Sequence, residues 1–89
     1  MSTTTYQLAE NVLFQKVSEE TVILEPETGQ YYTLDEIGTF MMGNIQQGKT
    51  IKTVVSCVLE KYQADEQKVT QDLNELIADM LKQGLLVEA

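Results

Sequence analysis

The segment from Ile23 to Gly38 constrains this chain more than any other, because it holds two strands, a turn and a helix start within sixteen residues. Leu24 leads into Pro26-Glu27-Thr28-Gly29, a turn whose glycine supplies a positive φ that other residues resist. Gln30 to Leu34 is rich in aromatic and β-branched residues and predicts a strand. Asp35 stops that strand and suits a helix N-cap, with Glu36 in the favourable first turn. A strand that passes straight into a helix is expected at a sheet edge. Its outer backbone groups then need cover or a partner.

The flanking segments extend this plan. Val12 to Val17 and Thr21 to Leu24 read as two further strands joined through Ser18-Glu19-Glu20. With connections this short, a three-stranded antiparallel meander is the economical arrangement. Beyond Asp35 the apolar spacing lengthens from two to between three and four. Ile37, Phe40, Met41 and Ile45 fit the inner face of a helix ending near Gly48. Thr50 caps a second helix that buries Ile51, Val54, Val55, Val58, Leu59 and Tyr62. Asp65 caps a third, with Val69, Leu73, Leu76, Ile77, Met80 and Leu81 apolar and Gly84 at its end. Leu85-Leu86-Val87 is either a short closing strand or an apolar tail, and residues 1–5 are polar and expected to be disordered. The expected fold class is α+β, a winged helix-turn-helix in which a three-stranded antiparallel sheet precedes three helices. One domain spans residues 1–89.

Charge narrows the function. Fourteen acidic residues face six lysines and no arginine, for a net charge of −8. Nucleic-acid binding rests on neutralising phosphates, and a recognition helix bearing Asp72, Glu75 and Asp79 has the wrong sign for it. Anionic membrane surfaces are disfavoured alike, and no apolar run approaches the roughly 20 residues needed to span a bilayer. The N-terminus lacks a secretory signal layout, so a cytoplasmic location is expected. With no histidine, the commonest general base and metal ligand is missing. Cys57 sits between valines in a helical pattern and reads as an inert buried thiol, with a redox or nucleophilic role as the lesser alternative. No calcium-loop spacing is present, so neither an enzyme nor a metal or cofactor site is expected.

At 100° per residue, the apolar positions of the third helix span roughly 140°, against about 100° for a helix resting on one core surface. Either the helix is wedged between neighbours, or one shoulder of the arc lines a groove beside the edge strand. Asp72, Glu75 and Asp79 share the flank; they form a solvated face or receive a lysine or arginine from a bound peptide. Tyr31 and Tyr32 point to opposite faces of their strand, so at most one belongs to the core.

Leu24, the segment Thr28-Gly29-x-Tyr31-Tyr32-x-Leu34-Asp35-x-x-Gly38, and the ending Asp72-Leu73-x-x-Leu76 through Leu81-x-x-Gly84-Leu85 together resemble the PqqD-like family. These are the precursor-peptide recognition elements of ribosomally made, modified peptides, and the similarity runs from about Val12 to Val87. The family often has asparagine where this chain has Asp35, and tryptophan where it has Met42. The resemblance implies a winged helix-turn-helix that binds leader peptides rather than DNA. It implies that the leader adds as an antiparallel strand to Gln30, Tyr31, Tyr32, Thr33 and Leu34. Val69, Asp72, Leu73, Leu76, Ile77 and Met80 would then form the cleft wall. The implied partners are a precursor leader peptide and a maturation enzyme: a lasso-peptide leader peptidase, a radical SAM enzyme or a cyclodehydratase. The alternative is a winged-helix protein-interaction or regulatory module that binds no leader.

Overall fold

Alternation in the hairpin segments sets the sheet. A computed structural model describes residues 3–89, and in it β2 (Leu13–Val17), β3 (Glu20–Leu24) and β4 (Tyr31–Leu34) form an antiparallel sheet in the order β2-β3-β4. Ile23 pairs with Phe14 and Tyr32, and Thr21 pairs with Leu34, all on the face that meets the helices. The opposite face carries Leu13, Val22 and Tyr31, each exposed. The β3–β4 turn is tied by Glu25, whose carboxylate accepts from the Thr28 amide at 2.8 Å, and Gly29 there has φ 76°.

The three helices follow as expected: α1 (Glu36–Gln46), α2 (Ile51–Lys61) and α3 (Glu66–Lys82). Asp35, Thr50 and Asp65 are their N-caps, accepting from the amides of Gly38, Thr53 and Lys68. Gly84, at φ 74°, turns the chain out of α3. Ile23, Met42, Ile45, Val54, Val58, Leu73, Met80 and Leu85 fill the centre. Met42 is fully buried while Ile37 is 39% exposed, so the inner face of α1 is rotated from the expected Ile37-Phe40-Met41-Ile45 stripe. The helix packs against α2, β3 and the N-terminal strand at Tyr6–Leu8 together, so its buried face is set by several neighbours.

Two short strands close the domain. β1 (Tyr6–Leu8), for which the sequence suggested no element, pairs antiparallel with β5 (Leu86–Glu88), with Leu8 opposite Leu86. The C-terminal segment is therefore a strand, the first of the two arrangements expected, while Leu85 just before it is fully buried. Of the five residues expected to be disordered, Met1 and Ser2 lie outside the described residues, whereas the Thr5 carbonyl accepts from the Ala89 amide at 2.9 Å. Among the described residues, no helix is long and apolar enough to cross a membrane.

Candidate functional site

β4 is an edge of its sheet, as its passage into a helix implied. The Glu25 amide donates to the Gln30 carbonyl at 2.8 Å, which sets the phase of the β3–β4 ladder. Antiparallel alternation then points the backbone groups of Tyr32 and Leu34 at β3 and those of Tyr31 and Thr33 outward. Gln30 lies just before β4, and its amide is held by the Thr28 hydroxyl at 3.2 Å. Its backbone is thus committed within the turn. Within the expected Gln30–Leu34 segment, the outward backbone groups are those of Tyr31 and Thr33.

Beside this edge lies a groove of about 700 Å³. The helix packed under β3 and β4 is α1, while α3 packs on α2, α1 and β5. This leaves α3 facing the β4 edge as the far bank. Tyr32 and Leu34 supply the strand bank, Ile37, Gly38 and Met41 of α1 the closed end, and Asp72 and Leu76 of α3 the opposite bank. Gly38 matters here: a Cβ on it would stand 3.2 Å from the Asp35 carboxylate and 3.3 Å from the Leu34 Cβ.

The residues expected as a wall on α3 divide by burial. Val69, Leu73, Ile77 and Met80 are core residues, and Leu73 and Met80 have no exposure at all. The centre of the 140° arc is consumed by packing on α2, α1 and β5, so these side chains support the groove from behind. Its Leu76 shoulder, half-buried beside Asp72, is the part that reaches the groove. The opposite shoulder, Leu81, is exposed and is not among the groove's residues. The contribution of α1 was missed. Its signal was present in Asp35, since a helix capped at the very end of β4 must set its first turn against that strand.

Tyr31 is exposed and Tyr32 half-buried, the division that strand alternation required. Burial pushes the Tyr32 phenol above its ordinary value. The Asp79 carboxylate raises it further, through its charge and by accepting the phenol's hydrogen bond.

A second cavity, on the other side of α1, gathers Lys16, Lys49 and Lys61 with Cys57 and Tyr62. Cys57 is half-buried rather than buried, with the Lys49 ammonium 3.7 Å from its Sγ and 2.6 Å from the Asn44 Oδ1.

Residues 20–86 match the family described as coenzyme PQQ synthesis protein D (PqqD). No curated protein sequence matches the chain. A structure described as TbiB1 in complex with the TbiA(beta) leader peptide superposes with a TM-score of 0.82 at 25% identity, covering 90% of this chain and 93% of that one. Lasso peptide synthetase B1 complexed with the leader peptide superposes at 0.84, with 15% identity and coverage of 92% and 96%. At that identity the second likeness is one of fold.

Proposed function

Because the chain belongs to the PqqD family, we propose that it binds the leader segment of a ribosomally made precursor peptide and presents it to a maturation enzyme. The observation that carries this reading is the free edge of β4 running beside a groove walled by α3. The leader adds as an antiparallel strand, bonding the outward backbone groups of Tyr31 and Thr33. Alternate side chains enter the groove between Tyr32, Leu34 and Leu76. The neighbour at 25% identity is described in complex with a leader peptide, which supports leader binding.

Binding of this kind requires no catalytic group. Backbone bonds give affinity, the groove selects side chains, and tethering raises the precursor's local concentration at its enzyme. The client is a lasso-peptide leader peptidase, a radical SAM enzyme or a cyclodehydratase.

The test is an amide-shift titration of labelled protein with the precursor leader encoded alongside it. Shifts should concentrate at Tyr31 to Leu34 and at Asp72 to Asp79. Saturating leader that leaves those amides unmoved would refute the reading.

A further inference from the structure

The groove is charged unevenly, and its unevenness has a direction. Three of its lining residues are carboxylates, Glu20, Asp35 and Asp72, and none is a lysine. The cavity across α1 is balanced instead, with Lys16, Lys49 and Lys61 beside Glu19, Glu36 and Glu60. The carboxylates also share one end. Glu20 adjoins Thr21, which pairs with Leu34, and Asp35 follows Leu34 in sequence. Asp72 lies on α3 one turn before Leu76, whereas Asp79, beyond Leu76, sits at the Tyr32 end. The groove therefore runs from an acidic end at α1, past Leu76, toward Tyr32.

We infer that the groove takes an extended peptide carrying an apolar anchor at Leu76 and a lysine or arginine two residues away, toward the end that meets α1. The inference rests on the strand-addition reading above and names the side chains which that strand must bring. Spacing supports the offset of two. Asp72 and Leu76 are four residues apart on a helix, about 6 Å along its axis. Side chains on one face of an added strand recur every ~6.8 Å. A strand antiparallel to β4 runs from the Leu34 end to the Tyr31 end, so the basic residue precedes the anchor.

Asp72 is available for this contact. Its partner is Lys68, at 3.7 Å between side chains 75% and 50% exposed, a weak ion pair that a peptide cation displaces at little cost. The carboxylates alone would be a solvated helix face. The open strand edge and the apolar shoulder beside them are what position a ligand's cation.

The test is selection of randomised ten-residue peptides displayed on phage against the folded protein, then against Asp72→Asn and Asp72→Lys. Circular dichroism checks that both variants fold. Winners should carry a basic residue two positions before an apolar one. Asp72→Asn should weaken them by roughly 2–5-fold, the scale of an exposed ion pair, and Asp72→Lys by more. Raising salt to about 1 M should reproduce most of the Asn effect. Winners with an apolar anchor but no basic preference, or a preference that survives Asp72→Lys, would overturn this inference and leave strand addition standing. Winners whose amide shifts avoid β4 and Leu76 would overturn both.

Discussion

Thr21 of β3 and Thr39 of α1 share a hydroxyl-to-hydroxyl hydrogen bond of 2.9 Å, with the two residues 0% and 8% exposed. This contact fixes the sheet to the helix directly behind the groove, and its energetics are open to a sharp test. Replacing Thr39 with valine keeps the shape and deletes the oxygen, leaving the Thr21 hydroxyl buried in a strand. An abandoned buried hydroxyl costs about 1–3 kcal/mol, so Thr39→Val should destabilise by ~1–2 kcal/mol. Thr21→Val should cost less. The Thr39 hydroxyl can turn back to the Asp35 carbonyl one helical turn earlier, and valine is at home in a strand. The double variant replaces both partners with apolar groups of the same shape and should return to within about 0.5 kcal/mol of the parent.

For a domain of this size each kcal/mol corresponds to roughly 4–8 °C in Tm. Thr39→Val should therefore melt several degrees below the double variant, although the double carries one more substitution. The assay is urea and thermal unfolding of the parent, both singles and the double. An unchanged m-value would show that the unfolded state is not the cause. If the two single losses simply add, within ~0.5 kcal/mol, the pair is not mutually satisfied and the reasoning fails.

Met42, fully buried at the centre, should cost about 2–5 kcal/mol as Met42→Ala, while Met42→Trp should overpack the site and cost ~1–3 kcal/mol; urea midpoints distinguish the two from neutral changes. Gly84 has φ 74° and open space where a methyl would stand, so Gly84→Ala should lose only the left-handed backbone penalty, about 1–2 kcal/mol by chemical denaturation. The Tyr32 phenol is raised from 10.0, so the folded state holds this proton longer than the unfolded chain. Its contribution is fully present below pH 10 and falls as pH rises beyond it. Tyr32→Phe should flatten the alkaline loss of stability; a residual slope from Tyr62, raised by burial and by its bond to Glu36, should remain.

What was legible in the sequence follows from which interactions are local. The N-caps at Asp35, Thr50 and Asp65 and the turn at Gly29 act within three or four residues, and all are found where the sequence implied. β4 as an edge was also readable, because Asp35 leaves no room for another hairpin. β1 was not. Three residues are too few to show a period, and the pairing of Leu8 with Leu86 depends on a partner at the other end of the chain. The rotation of α1 toward Met42 likewise depends on several neighbours at once. In the groove, helical periodicity could say that α3 has a wide apolar arc. It could not say that packing takes Val69, Leu73, Ile77 and Met80 and releases Leu76.

The division of labour between α1 and α3 is what turns this architecture toward a peptide. A helix packed flat under all three strands would cover β4 and leave a solvated acidic face behind it. Here α1, started by Asp35 at the end of β4, takes that packing position and lends Ile37 and Met41 to the groove. α3 is then held by α2 and β5 at the distance that leaves a groove beside the strand edge. From that position Asp72, which would repel a phosphate backbone, and Leu76 line the groove with Tyr32, Thr33 and Leu34 of β4. On the proposed reading, an added strand satisfies the outward amides and carbonyls of Tyr31 and Thr33, and Leu76 supplies its apolar contact. The same acidic helix that carries the wrong sign for DNA is then one bank of the proposed peptide site.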